Sequence, residues 1–236
     1  MNATAATAEL AEIEARYERR GRDDARYSPL DPYVIMSEQE KDRAITRLFV
    51  DRGLDRRIAT AKLLEIGCGN GANLLRFLRM GFAPDRLVGN ELLADRVRES
   101  RRVLPASVQL VAGDATTVEL PQSGFDVVCL FTVLSSILDA PFQERLAARA
   151  WSLVKPGGGL LCYDFVYNNP RNSDVRGVPV RRLRELFPAA TMRLQKVTLA
   201  PPLGRPLARR WRSAYSLFNC IPALRTHVLA WLEKSA

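Results

Sequence analysis

The sequence predicts an α/β domain built on a mainly parallel sheet with helices on both faces. Three observations predict it. From Ala61 onward, short apolar runs alternate with helical segments, the pattern that right-handed crossovers between parallel strands produce. The first of those runs ends in a glycine-rich turn, GCGNG, residues 67–71, that leads straight into a helical segment. The chain of 236 residues can bury a large core unaided, and Cys68, Cys129, Cys162 and Cys220 lie too far apart for a zinc or CxxC pattern.

Each element follows from the local pattern. Residues 1–60 read as a polar, helical N-terminal cap or lid segment, ahead of a main domain at 61–236. Within the cap, RYSPLDPY at 26–33 has two prolines and an aspartate and reads as a loop. Ser37 followed by Glu40 is a capping box, so a helix is expected from Ser37 with Ile45, Leu48 and Phe49 on one face. Strands are expected at 61–66, 86–91, 107–112, 125–131 and 158–166, and helices at 72–80, 94–104, 141–154 and 180–187. After Pro188 the pattern predicts a strand at 191–200, a loop at 201–210 and a helix at 209–220. Residues 225–234 read as a closing strand, with a short helix as the alternative.

The N-terminus carries glutamates and no apolar core of signal-peptide length, and no apolar run has the length of a membrane span. The expectation is a soluble, cytoplasmic protein in a reducing compartment. The net charge of +9 has two readings: an anionic partner, or an arginine-biased composition spread along the chain, which weighs more. The basic stretch from Arg205 to Arg212 is compatible with contact to lipid headgroups and equally with an exposed loop and helix start.

The glycine turn alone does not name a ligand, because GCGNGA also fits the dinucleotide pattern G-x-G-x-x-[GA]. Glu65, two residues before Gly67, adds a sign. A dinucleotide would bring a pyrophosphate to the helix N-terminus, where a carboxylate repels it. S-adenosylmethionine brings an ammonium and a sulfonium, which a carboxylate favours. Glu91 closes the second predicted strand about twenty residues beyond the glycines, where an acid accepts ribose hydroxyls in this and in nicotinamide sites. Asp114 and Ala115 follow the third strand, where a carboxylate and a backbone N–H can serve an adenine; a lone Asp there would more often be a cap.

Taken in order, LEIGCGNG, VGNEL, GDA, FDVVCLFTVL and LVKPGGGLL resemble the class I S-adenosylmethionine-dependent methyltransferases over about residues 40–235, most strongly 61–166. The resemblance implies a Rossmann-like, seven-stranded methyltransferase sheet whose last strand is antiparallel, and S-adenosyl-L-methionine as cofactor. Carried over by position, Glu65, Gly67 and Gly69 would line the methionine end, with Cys68 and Asn73 in the same set. Glu91 would meet the ribose, Asp114 and Ala115 the adenine, and Phe131 the sulfonium, with Leu92 among the cofactor contacts. Glu91 stands where many members have Asp, and Ser135-Ser136-Ile137 stands where many have an acidic-His pair, so any role of that pair is absent. Tyr27 or Tyr33 in the 26–33 loop is expected to close over the cofactor.

The acceptor is expected beyond the carboxyl ends of the fourth and fifth strands. There the segment 163–172 offers Tyr167, Asn168, Asn169 and Arg171 to a polar small molecule, or else an Asn-rich loop that satisfies its own turns. Together with LFP at 186–188 and LRTH at 224–227, it looks like a bacterial small-molecule and saccharide-type subgroup. His227, the only histidine, and Asp164 are the candidate bases. The expected function is methylation of a small polar metabolite, on oxygen of a sugar or natural-product intermediate. An RNA methyltransferase and a non-catalytic S-adenosylmethionine binder are the alternatives, and nucleic acid is disfavoured because no aromatic-and-basic stripe is present. Glu65 argues against a nicotinamide oxidoreductase.

Overall fold

The computed structural model describes residues 3–19, 28–170 and 172–235. The order of elements is α1 (Ala3–Arg19), α2 (Pro32–Asp51), β1 (Leu63–Ile66), α3 (Ala72–Met80), β2 (Leu87–Glu91), α4 (Ala94–Val103), β3 (Gln109–Ala112), β4 (Phe125–Phe131), α5 (Ala140–Leu153), β5 (Val154–Phe165), α6 (Val180–Leu186), β6 (Thr191–Leu199), α7 (Pro201–Arg210), α8 (Arg212–Asn219) and β7 (Arg225–Glu233). The strands form one seven-stranded sheet in the order β3-β2-β1-β4-β5-β7-β6. β1 to β5 are parallel, and β7 is antiparallel to both β5 and β6, as the resemblance implies.

The central strands are buried on both faces and read accordingly as continuous apolar runs. On one face Leu64, Val128, Leu130, Leu160 and Ala230 pack with Leu146 and Ala150 of α5 and Leu183 of α6. On the other, Leu63, Val127, Leu161, Leu229 and Trp231 pack with Ile45 and Phe49 of α2 and Leu74 and Phe77 of α3. α2 is therefore part of the sheet's covering layer rather than of a separate cap. Gly159 of β5 leaves the room that the Trp231 indole fills: a Cβ there would stand 2.1 Å from Trp231 Cζ2. Gly159→Val is expected to lower the melting temperature by about 5 °C or more, because an overpacked core must shift backbone and indole together. An unchanged midpoint in a thermal melt would contradict this packing.

Two local expectations are corrected. α2 begins at Pro32, not at Ser37. Asp31 caps it by accepting from the Tyr33 and Val34 amides at 2.9 and 3.3 Å, and proline presets the first helical φ. Ser37 lies inside the helix, where its hydroxyl donates to the Val34 carbonyl at 2.9 Å. Residues 201–210 form a helix rather than a loop, since Pro201 and Pro202 occupy the first turn, where the missing N–H costs nothing. Packing holds that helix despite Pro206: Ala208 is fully buried, and Gly204 lies against the Tyr33 ring. Residues 225–233 form the closing strand, as expected, and not the alternative short helix.

Candidate active site

At the carboxyl edge of the sheet the turns after β1, β2, β3 and β4 surround a cavity of about 800 Å³, and α1 lies across it. The size is within the 300–1,000 Å³ range of small-molecule and cofactor sites. Its floor is the glycine turn, where Gly67 and Gly69 have φ of +69° and +57°, a backbone that side-chain-bearing residues rarely adopt. Cys68 and Asn73 line the wall beside them, and burial pushes the Cys68 thiol well up, so it stays protonated.

Glu91 is the most tightly placed side chain in the wall. Its Oε2 accepts from the Gly69 amide at 2.7 Å and its Oε1 from the Leu93 amide at 2.9 Å, so one carboxylate ties the glycine turn to the start of α4. Leu92, Asp114, Ala115 and Phe131 also line the cavity. Asp114 is engaged locally as well: it accepts from the Thr116 amide at 2.9 Å and bonds the Thr116 hydroxyl at 2.6 Å.

Glu65 requires a correction of place. It is fully buried beneath α3 and does not line the cavity. Its Oε1 accepts from Asn73 Nδ2 at 2.6 Å, Asn73 Oδ1 is held in turn by Arg76, and its Oε2 has no hydrogen-bond partner. Burial pushes the Glu65 carboxyl up to about 7, against the Asn73 hydrogen bond and the positive charges of Arg76 and Lys41. Glu65 thus acts on the cavity through Asn73.

The negative charge at the wall comes from other residues. Among the described residues, Glu14, Glu18, Glu91, Asp95, Glu99 and Asp114 line the cavity, with Arg96 as the one cationic side chain. Six carboxylates against one guanidinium disfavour a diphosphate and favour a cation. The Gly69 amide, which an anion would need, is already given to Glu91. These residues fit S-adenosyl-L-methionine: a glycine turn for close approach, a carboxylate at the end of β2, and an acidic wall for a sulfonium and an ammonium.

The roof comes from the first helix of the N-terminal segment rather than from the 26–33 loop expected to close over the site. Leu10, Ile13, Glu14, Tyr17 and Glu18 of α1 face the cavity. The helix is docked by Arg16, which bonds Glu9 at 2.7 Å and the Ser136 carbonyl at 3.3 Å, while Glu9 accepts from the Leu138 amide at 3.0 Å. Tyr17 donates to Ser136 Oγ at 3.3 Å, and the Arg96 guanidinium lies 4.5 Å over its ring. The spacing Leu10, Ile13, Tyr17 is the helical i, i+3, i+7 stripe that could have revealed this face. Of the aromatic residues expected to close over the site, Tyr27 lies outside the described residues. Tyr33 points elsewhere: it is buried against Tyr215, with its hydroxyl donating to the Leu199 carbonyl at 2.9 Å.

Thr132, at the mouth of β4, lines the cavity with φ +54°. Its amide donates to the Tyr163 carbonyl at 2.7 Å and its hydroxyl to the Phe131 carbonyl at 2.7 Å. A β-branched residue in that region costs on the order of 1–3 kcal/mol, the sort of local strain found at ligand sites.

The candidate bases and acceptor residues lie outside the cavity. Asp164 is buried on the α5 face, where it accepts from the Ser135 amide at 3.0 Å and from the Phe165 amide at 3.0 Å, and burial pushes it up to about 7. It braces the turn after β4 rather than meeting a substrate. His227 lies on the opposite face, stacked on Tyr163 with ring centroids 5.0 Å apart and bonded to the Thr226 hydroxyl at 3.1 Å. Burial, and then the ammonium of Lys41, hold its imidazole down to about 3, so it is neutral. Asn168 accepts from the Gly177 amide at 2.9 Å, and Tyr167 is exposed beside Lys196. Neither these nor Asn169 lines the cavity, and Arg171 lies outside the described residues. Asn168 and Asn172 spend their side chains on the loop's own turns.

Comparison with known proteins agrees with this geometry. Residues 63–158 match a family described as "Methyltransferase domain". The chain is 28% identical over 108 residues to the ubiquinone/menaquinone biosynthesis C-methyltransferase UbiE of Methylobacterium nodulans, covering 44% of this chain and 42% of that protein. It is 30% identical over 115 residues to the tRNA N(3)-cytidine methyltransferase METTL2 of Xenopus tropicalis, covering 45% of this chain and 34% of that protein. The chain thus spans less than half the length of these curated relatives. In fold it is similar to an S-adenosylmethionine-dependent methyltransferase from Thermotoga maritima, with a TM-score of 0.64, 16% identity, and coverage of 94% of this chain and 100% of that one. Among the described residues no helix is long and apolar enough to cross a membrane.

Proposed function

We propose that this chain, which has the class I methyltransferase fold and a methyltransferase-domain match at 63–158, is an S-adenosyl-L-methionine-dependent methyltransferase acting on a small polar metabolite. One observation carries the reading: a glycine turn whose amide is held by Glu91, in a cavity walled by carboxylates. S-adenosyl-L-methionine, when bound, supplies an electrophilic methyl group on a sulfonium. The chain's part is to bind and align it. Glu91 holds the ribose, Asp114 and Ala115 the base, and the glycine turn, Asn73 and the acidic wall the charged methionine end. α1 covers the site, excluding water and holding the two reactants in line, which can supply on the order of 7–11 kcal/mol of the barrier in favourable cases.

The finer reading, methylation on oxygen of a sugar or natural-product intermediate, is supported by a cavity roomy enough for cofactor and acceptor, with Thr132 and Ser136 in its wall. A hydroxyl acceptor needs a base. Glu14, Tyr17 and Glu18 are the titratable groups that α1 brings to the cavity wall, whereas His227 and Asp164 remain outside it. His227→Ala is therefore expected to keep turnover within about threefold of wild type across the pH range, since a structural imidazole carries no proton in the reaction. A loss of more than about a hundredfold, with a changed pH profile, would restore it as a base.

A second reading has support of its own: relatives that methylate tRNA, and the charge of +9. Both readings, and non-catalytic binding of the cofactor, are separated by incubating the protein with radiolabelled S-adenosylmethionine, a metabolite panel and tRNA. Label transfer to a small molecule supports the first reading and transfer to tRNA the second. No transfer despite cofactor binding leaves a binding protein.

A further inference from the structure

We propose that the helical insertion between β6 and β7 docks on the surface of an anionic lipid bilayer. The charge distribution points there first. From Leu186 to Leu232 the chain contains no aspartate or glutamate, yet it carries six arginines and one lysine, seven of the net nine positive charges. The surface chemistry points the same way. Six of the twelve exposed large apolar side chains among the described residues lie in this segment: Leu194, Leu203, Trp211, Leu217, Phe218 and Ile221. Trp211 and Leu217 are each 66% exposed. Leu217 lies on α8 and Ile221 two residues beyond its end, and Trp211 sits at the junction of α7 and α8.

The arginines are also held in place. Arg209 pairs with Asp31, the cap of α2, at 2.8 Å, which offsets one charge and fixes α7 against α2. Arg225 donates to the Asn219 carbonyl at 2.6 Å and the Lys196 carbonyl at 2.8 Å, bracing the end of α8. Arg210 is exposed at the end of α7, next to Trp211. Tryptophan with aliphatic neighbours suits the boundary between headgroups and acyl chains, and arginines flanking it suit anionic headgroups.

The other occupants fit less well. A second copy of the same face would set like charges against like, with no carboxylate in the segment to pair them. A nucleic acid would pair with the arginines and stack on Trp211 and Phe218, but it would leave the exposed Leu203, Leu217 and Ile221 around them in water. Topology gives the contact a consequence. β7 is antiparallel to β5 and β6, so the insertion leaves the sheet from its carboxyl edge, the same edge that bears the cavity. Docking through α7 and α8 turns that edge toward the bilayer.

The test is flotation of the full chain with vesicles of phosphatidylcholine alone and of phosphatidylcholine with phosphatidylglycerol, together with tryptophan emission. The protein is expected to float with the anionic vesicles and not with the neutral ones, to be released by salt, and to show a blue shift of emission. Arg210→Glu, on an exposed side chain, and Leu217→Ser are each expected to weaken anionic-vesicle binding about tenfold, with the melting temperature unchanged. Failure to float with anionic vesicles overturns the proposal. So does flotation untouched by both substitutions, or binding of tRNA at this face in place of vesicles. The readout is lipid binding, so it stands or falls separately from methyl transfer.

Discussion

Glu91→Ala is expected to weaken S-adenosylmethionine binding by about a hundredfold and to lower the melting temperature as well. The carboxylate accepts from two backbone amides, of Gly69 and Leu93, and stands in the cavity wall. Hydrogen bonds to a charged acceptor are worth about 1.5–3 kcal/mol each. The substitution removes two of them, frees the glycine turn from α4 and takes away the group placed for the ribose. Glu91→Gln should fall between, near tenfold: its amide can accept at one oxygen, but its NH2 must face one of the two N–H groups. Titration calorimetry measures both. Equal affinities for the alanine variant and wild type would mean that the ligand does not lie along the end of β2.

The second large effect concerns Glu65 and runs against the usual direction for a carboxylate. Its pKa is raised by burial from the ordinary 4.5 to about 7, and its Oε2 has no partner. Below pH 4.5 the group is neutral folded and unfolded, so it adds no penalty. Between 4.5 and 7 the unfolded chain releases the proton while the folded chain keeps it, so stability falls as pH rises through that window. Above 7 the penalty is fully present. At about 1.4 kcal/mol per pH unit it amounts to about 3 kcal/mol. Glu65→Gln keeps an oxygen for the Asn73 amide and cannot ionise. It should match wild type near pH 4.5 and exceed it near pH 8 by about 6–10 °C in melting temperature. A variant less stable than wild type at every pH would show that Glu65 is instead an ionised partner of Arg76.

Much of the fold was legible because its signals are local. Leu63–Ile66, Leu87–Glu91 and Phe125–Phe131 are apolar runs bounded by glycine or polar turns, and each became a strand within two residues of expectation. The start of α2 was misread because a capping box at Ser37 competed with Asp31-Pro32, and the aspartate cap with proline in the first turn won. α7 was missed because three prolines look like a loop, whereas burial of Ala208 and the fit of Gly204 on Tyr33 are tertiary facts. At the site, the residues on the turns of β1 to β4 gather at one cavity. Glu91, Asp114, Ala115 and Phe131 line it in the order the motifs suggested. The acid that carried the electrostatic argument, Glu65, lies one side chain behind the wall. The sign it suggested is carried by Glu91, Asp95, Glu99 and Asp114 and by α1. Asp164 and His227 could not be placed from sequence, because alternation along β5 and β7 sends them to opposite faces of the sheet.

Titration of the purified protein with S-adenosylmethionine and, separately, with NAD tests whether the acid-walled glycine turn is built for a cation. Saturable binding of S-adenosylmethionine that Glu91→Ala weakens by about a hundredfold, with no heat from NAD, is the predicted result. Tight binding of NAD with none of S-adenosylmethionine would contradict it.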